Sequence, residues 1–322
     1  VSAPVRFDFH AEAPMEHRLT VYVDGTLDGL TVKQLLSGRL DLSSRLIKKL
    51  KYSGGILVDG EISRVRRVLR EGETVELLTD RADEGSQTVE PCGGELDILF
   101  EDDDLIALNK PAGLAVHPSP GNRTGTLGNI VAGYYADRGG SFVLRPVNRL
   151  DRNTSGIVLI AKNTRAASIM GEQMSKRRIE KRYSAIVHGM PDPPDGVVDA
   201  PIRRADASVI TRVVSPDGKR AVTRYHTVRA LGELTLLDVF TETGRTHQIR
   251  VHMAHIGCPL AGDFLYGREE PWLIGRHALH MGYIAFAHPT GGERIELSCP
   301  LADDMSRLLE RLSAPSGAAA DD

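Results

Sequence analysis

Asn148-Arg149-Leu150-Asp151-Arg152-Asn153-Thr154-Ser155-Gly156 runs straight into Ile157-Val158-Leu159-Ile160-Ala161-Lys162. A loop dense in polar groups thus delivers the chain into an apolar strand. Asp151 stands between two arginines, and Thr154, Ser155 and Gly156 suit a tight turn with side-chain to backbone hydrogen bonds. An aspartate held in this way serves as a nucleophile, as a base or as a structural cap, and the residues alone leave all three open.

Working outward, the surrounding sequence is mostly short alternating strands: LDILF, LIALNKP, FVLRPV, KRYSAIV, SVITRVV, AVTRYHTVRA, LTLLDVF and YIAFAH. Helical spacing is confined to 163–178 (Ala167, Met170, Gly171 and Met174 on one side), 248–255 and 305–312. Glu101, Asp102, Asp103 and Asp104 read as an exposed turn between two strands. The class is α+β. No fixed-period repeat points to a solenoid.

A second informative string is Gly244-Arg245-Thr246-His247-Gln248-Ile249-Arg250-Val251-His252. Gly244 gives flexibility, and Thr246 is placed to cap a helix beginning at His247. Arg245 and Arg250 each offer a fork to a carboxylate or phosphate. If Arg245 meets Asp151, the pair favours the ionised carboxylate and fixes its direction. A purely structural ion pair has the same sequence signature.

The first quarter is locally basic. Between positions 39 and 70 lie Arg39, Arg45, Lys48, Lys49, Lys51, Arg64, Arg66, Arg67 and Arg70, against Asp41, Asp59 and Glu61. Such a face can neutralise several nucleic-acid phosphates. TVKQLLSGRL reads as a short helix. SRLIKKLKYSG reads as a second, capped by Ser43 or Ser44, with Leu46, Ile47 and Leu50 on one side and Gly54 and Gly55 at its end. Asp59-Gly60 is a hairpin turn, and ETVELLT closes a compact α+β module.

Composition sets bounds. At 322 residues the chain is about two domains long. With 41% hydrophobic and 26% charged residues it has material for a core, which excludes a disordered regulator or a collagen-like fibre. Forty Lys and Arg against 43 Asp and Glu leave a net charge of -3, so any nucleic-acid contact rests on clustering. Three cysteines do not make a disulfide framework. No apolar stretch is long enough for a membrane span, and the first residues lack a signal-peptide core, so the expectation is a cytoplasmic protein. GNRTGTLGN lacks the Lys-Ser/Thr of a phosphate loop. His247, His252, His255, Cys258, His277 and His280 do not have the spacing of a zinc set, and no metal is expected. His252 and His280 read as packed histidines, Cys258 and Cys299 as half-buried thiols.

Five ordered motifs together carry a resemblance: LNKPAGLAVHPSPGNRTGTLGN, NRLDRNTSG, KRYSAIVHG, GRTHQIRVHMAHIGCPLAGDFLYG and RHALHMGYIAFAHP. The chain resembles the RluA-type pseudouridine synthases, with LLSGRLDLSSRLIKKLKYSGGILVDG similar to an S4-like RNA-binding domain. The resemblance implies an extension at 1–17, an S4-like domain at 18–84, a linker at 85–94, a catalytic domain at 95–313 with a mixed, mostly antiparallel sheet, and a disordered tail at 314–322. It implies isomerisation of a uridine in structured RNA, large-subunit ribosomal RNA first and transfer RNA second, by a monomer needing no cofactor. A catalytically inactive ribosome-assembly factor is the competing expectation. Asp151 becomes the catalytic carboxylate, Arg245 its ion-pair partner, Tyr183 the ring stacked on the base and Leu279 an apolar contact. Arg149, Lys110 and Arg250 become substrate or pocket contacts, and Arg45, Lys48, Lys49 and Lys51 grip phosphates. Asn148 stands where the family usually has His, and Asn153 where it often has Asp. Both departures bear on target choice.

Overall fold

The computed structural model describes residues 18–40, 42, 44–78, 89–119, 123–205 and 210–313, the side chain of Arg45 excepted. The expected extension, the tail, Ser43 and the first part of the linker lie outside them. Strand β1 (Arg18–Tyr22) opens a small unit with helical turn α1 (Val32–Gln34), helix α2 (Ser44–Ser53) and strands β2 (Ile56–Val58), β3 (Glu61–Ile62) and β4 (Thr74–Leu78). The four strands form one antiparallel sheet in the order β1-β4-β2-β3. Thr31 and Gln34 make a reciprocal capping box at α1. Beyond α1 the expected regular helix widens into a π-type turn over Leu35–Arg39. Leu35, Leu36, Leu46, Leu50, Ile56, Val75 and Leu77 make a core of their own. Helix α2 buries Leu46, Ile47 and Leu50 and leaves Lys48, Lys49 and Lys51 exposed, as its spacing requires. Asp59 and Gly60 both take positive φ (52° and 80°), the geometry of the expected hairpin turn.

The remaining strands are β5 (Ile98–Glu101), β6 (Leu105–Lys110), β7 (Arg145–Pro146), β8 (Ser155–Ala161), β9 (Glu180–His188), β10 (Asp195–Asp199), β11 (Ile202–Arg204), β12 (Arg212–Val214), β13 (Val222–Leu231), β14 (Leu234–Thr241), β15 (Leu279–Ala287) and β16 (Arg294–Ser298). Helices α3 (Leu127–Ala136), α4 (Thr164–Ser175), α5 (Gln248–His255) and α6 (Asp303–Ser313) lie between and after them. The main sheet runs β10-β13-β14-β9-β15-β8-β6-β5, with β16 on β15 and β7 on β8, while β11 and β12 pair apart. It is antiparallel except between β8 and β15, which run parallel with His280 opposite Ser155 and Met281 opposite Gly156. Met281 also faces Tyr183, and Tyr183 faces Val239. This register gathers the starts of β8 and β15 beside Tyr183 of β9, so three motifs distant in sequence meet. Gly156 is needed there: its φ is +110°, and a Cβ would sit 2.2 Å from the Met281 carbonyl oxygen.

Several local expectations change. Helix α3 is not among the expected helices. It is started by a Thr126–Asn129 capping box, and Gly133 is required because a Cβ would strike the Cys92 carbonyl at 2.2 Å. Cys92 N–H donates to Asn129 O, and Asn129 Nδ2 donates to Glu90 O, so the described end of the expected linker is fastened to α3. Helix α4 is capped by Asn163 and buries Ala166, Met170 and Gln173, leaving Gly171 exposed. The acidic run is no free turn: only Asp103 is exposed. Glu101 accepts from Tyr134, Tyr135 and Lys162, Asp102 pairs with His288, and Asp104 accepts from Asn163 and Thr290.

Candidate active site

A cleft of about 450 Å³ opens over this junction, lined among others by Arg149, Asp151, Tyr183, Arg245, His247, Arg250 and Leu279. The loop that carries Asp151 is held from every side. Asn148 donates to Ile157 O at 2.9 Å and accepts the Leu159 N–H at 2.8 Å, which pins the loop's entry to β8. Three successive carbonyls are then fixed: Asp151 O by the Thr154 N–H, Arg152 O by Lys110 Nζ at 3.1 Å, and Asn153 O by Arg276 Nη1 at 3.0 Å. Thr154 Oγ1 also meets His277 Nε2 at 2.8 Å. Backbone acceptors satisfied in this way leave the loop little freedom.

The two oxygens of the Asp151 carboxylate differ. Oδ2 accepts from Arg250 Nη1 at 3.3 Å and has His247 Nε2 at 3.8 Å. Oδ1 has no hydrogen-bond partner among the described residues, and the side chain is 27% exposed. Arg250 is itself fixed by a two-pronged bond to Asp263, Nε to Oδ2 and Nη2 to Oδ1, each 2.7 Å. Asp263 is completely buried and also accepts the Leu265 and Tyr266 amides. Burial opposes both charges. The Asp263 bond outweighs it and raises the Arg250 pKa, and the Arg250 bond likewise lowers that of Asp263. Arg250 therefore offers Asp151 one corner of a guanidinium whose orientation another carboxylate sets.

His247 has φ 58°, a left-handed conformation unusual for a residue with a side chain, at the start of α5. Its Nδ1 lies 2.8 Å from Tyr266 Oη, which already accepts the Arg212 amide at 2.9 Å. The Tyr266 hydroxyl can donate to Nδ1, and in that tautomer the neutral imidazole carries its proton on Nε2, the nitrogen nearer Asp151. Burial lowers the His247 pKa against the pull of Asp151, which favours this neutral form. The expected Thr246 cap is not formed; Gln248 ties the entry instead, accepting from Thr243 and from the Arg245 amide.

The expected ion pair between Arg245 and Asp151 is corrected. Arg245 is exposed on the cleft wall and donates Nε to Arg220 O at 2.9 Å, while Arg250, one helical turn further on and buried, takes Asp151. Lys110 is also corrected as a substrate contact. It is fully buried, and its three donors go to Pro111, Leu114 and Arg152 carbonyls. Burial, followed by Arg276, pushes its pKa down to about 7 against the pull of Asp151. Arg250 lines the cleft, but its donors are held by carboxylates. Arg149 is exposed on the cleft, and Tyr183 and Leu279 are buried in its wall. Burial and then the Asp151 charge raise the Tyr183 pKa.

Lys48, Lys49 and Lys51 lie exposed on α2, away from the cleft lining. The side chain of Arg45 lies outside the described residues. His252 and His280 are packed as expected, bonded to Thr223 with Ala200 O and to Ser155 respectively. Cys258 is buried rather than half-buried. No group of metal-binding side chains occurs among the described residues. No described helix is long and apolar enough to cross a membrane.

Sequence reasoning passed over Asp263, Tyr266 and Arg276, and weighed His277 only as a metal ligand. The signal for Asp263 was a lone acid in the otherwise apolar stretch GCPLAGDFLYG, which can be buried only against a cation.

Comparison with known proteins finds relatives over most of the chain. Residues 104–255 match the family model described as RNA pseudouridylate synthase. The chain is 38% identical over 283 residues to the uncharacterized RNA pseudouridine synthase YlyB of Bacillus subtilis, covering 87% of this chain and 93% of that protein. It is 39% identical over 293 residues to the ribosomal large subunit pseudouridine synthase D of Xanthomonas campestris, covering 86% and 87%. Among solved structures, human RNA pseudouridylate synthase domain containing 4 superposes with a TM-score of 0.55 at 26% identity, over 67% of this chain and 92% of that one.

Proposed function

The chain belongs to the RNA pseudouridylate synthase family, and from that premise we propose that it isomerises a uridine of large-subunit ribosomal RNA, with Asp151 as the catalytic carboxylate. The observation that carries the reading is the asymmetry of Asp151: Oδ2 is restrained by Arg250, while Oδ1 is left open in the cleft. The reaction breaks the bond between ribose C1′ and uracil N1, turns the base and joins C1′ to C5, after which C5 loses its proton and N1 takes one up. Atoms are rearranged within one nucleotide, so neither an oxidant nor a group carrier is required.

The target uridine must leave its stack, at a few kcal/mol. Tyr183 and Leu279 offer it apolar wall, and contact with an aromatic ring recovers about 1–3 kcal/mol. Oδ1 then acts on the ribose, while Arg250 holds the other oxygen, with the His247 imidazole packed 3.8 Å from it, and keeps the carboxylate from turning away. Arg149 and Arg245, exposed on the rim, face the phosphates on either side of the flipped nucleotide.

We also read 18–84 as an S4-like RNA-binding domain, 85–94 as its connection and 95–313 as the catalytic domain. The separate core of the first unit and its exposed lysines support this reading. Large-subunit RNA is favoured by the relatives of that description, at 35–39% identity. The test is pseudouridine mapping of total RNA from cells with the gene, without it, and with its Asp151→Asn form. The expected result is one or more sites in large-subunit ribosomal RNA lost in both of the latter. Loss confined to transfer RNA would overturn the substrate assignment, and retention with Asp151→Asn would overturn the catalytic one.

A further inference from the structure

Strand β9 alternates in burial from its start: Glu180 and Arg182 are exposed, Lys181 and Tyr183 buried. Lys181 and Tyr183 therefore share one face of the strand, and both line the cleft. Two residues of strand set them roughly 7 Å apart. The loop that carries Asp151 enters β8 opposite His280 and Met281, whereas Lys181 pairs with Ile284, further along β15. The Asp151 charge acts on Tyr183, while the pKa of Lys181 is lowered by burial alone. Lys181 thus lies beyond Tyr183 from the carboxylate and makes no ion pair with it.

Two lysines are buried among the described residues, and they are not equivalent. Lys110 spends its three donors on carbonyls. Lys181 is 8% exposed, and its Nζ meets Met174 Sδ at 3.7 Å. A thioether is a weak acceptor. Among the described residues no oxygen acceptor and no carboxylate partners this amine. The neighbouring Thr241 hydroxyl bonds Tyr183 instead. A buried cation without an acceptor is costly, and in the wall of a cleft that receives a nucleotide the acceptor comes with the ligand.

We propose that Lys181 holds a carbonyl oxygen of the flipped uracil and balances the negative charge of the base while it is detached from the ribose. This deepens the isomerisation reading and rests on it. With the ribose at Asp151 and the ring against Tyr183, the edge of the base turned away from C1′ reaches toward Lys181. The sugar–phosphate backbone stays at the rim with Arg149 and Arg245, which leaves the buried wall to the base. When the C1′–N1 bond breaks, its electron pair stays with uracil and spreads over N1, O2, O4 and C5. The pair returns to C1′ when C5 joins it, so Lys181 neither gives nor takes a proton. A cation fixed in a water-poor wall and aimed at developing charge lowers the barrier more than it tightens the resting complex.

The test uses the full chain with unmodified transcripts of large-subunit ribosomal and transfer RNA, at single turnover with protein in excess. RNA affinity and melting temperature are followed alongside. Lys181→Met is close in length and removes the charge. Its rate constant should fall about 100-fold while RNA affinity stays within about twofold. Its melting temperature should hold or rise, because an unpaired buried charge is gone. Lys181→Gln keeps a donor without the charge, and its rate should fall between the two. A wild-type rate in either variant overturns the proposal. So does weaker binding at an unchanged rate, which would put Lys181 on a flanking phosphate. A lost rate with a lowered melting temperature in both variants describes a structural lysine and overturns it as well. If the wild-type protein forms no pseudouridine on either RNA, the isomerisation reading fails and takes this one with it. An active wild type with an unaffected Lys181→Met rate removes this one alone.

Discussion

The same side chain does opposite work in two regions of this molecule. In the cleft, Arg250 is 4% exposed and clamped between Asp263 and Asp151. In the N-terminal unit, just after β3, Arg64 and Arg66 stand in solvent. Buried charges are little screened and hold geometry, whereas exposed charges are screened within about 8–10 Å and act on partners in a salt-dependent way. The cleft should therefore respond to pH and to loss of single partners, and the N-terminal face to salt. This difference also explains why Arg245, exposed like Arg64 and Arg66, was a poor choice for orienting Asp151.

The largest effect is expected from Arg250→Met. It leaves Asp263 charged and unpaired with no exposure, at about 3–5 kcal/mol of stability, and frees Asp151 to rotate. Adding Asp263→Leu should recover much of the melting temperature but not the activity. Recovery of both would show that Arg250 only supports the fold. Lys110→Met comes next. Three carbonyls lose their donor, and with one of them the loop behind Asp151 loosens, so kcat should fall about tenfold or more with a smaller change in KM. A variant with wild-type kcat would remove Lys110 from the positioning of the loop.

Acid tests the cleft in another way. Burial pushes His277 down to about 3 and His280 to about 4, against 6.5 for an ordinary histidine. Above pH 6.5 both are neutral whether folded or not. As pH falls from 6.5 toward 4, the unfolded chain takes up protons that the folded one refuses, so stability declines, by up to about 2–3 kcal/mol per pH unit. His280→Asn should remove roughly half of that slope in thermal melts. An unaltered slope would assign acid lability to other groups. The smallest effect is expected from Arg245→Gln: an unchanged melting temperature and a several-fold weaker RNA affinity that fades at high salt. A destabilised loop in this variant would restore Arg245 as a partner of Asp151.

What was legible in the sequence follows the same division between local and long-range causes. The Asp59-Gly60 turn, the apolar side of α2 and the strand leaving Gly156 depend on neighbours a few residues away, and their patterns show it. Helix α3 was hidden because Gly128 and Gly133 lower helix propensity. Their reason is tertiary, since the Cβ of each would strike Leu144 or the Cys92 backbone. Choosing between Arg245 and Arg250 likewise required knowing which side of α5 faces the loop and that Asp263, from a distant turn, occupies the other end of the fork. Of the site, the cleft's main residues were legible as motifs. Of the donors that hold the loop's carbonyls, Lys110 was legible only through the motif it belongs to and Arg276 was not, because both reach the loop only through the fold.

The most direct measurement is pseudouridine formed by purified wild-type and Asp151→Asn proteins on ribosomal RNA lacking the modification, with RNA affinity followed in parallel. Wild-type product, no product from the variant and equal affinity for both is the outcome expected if Oδ1 of Asp151 performs the chemistry. Product from the variant at the wild-type rate would contradict it.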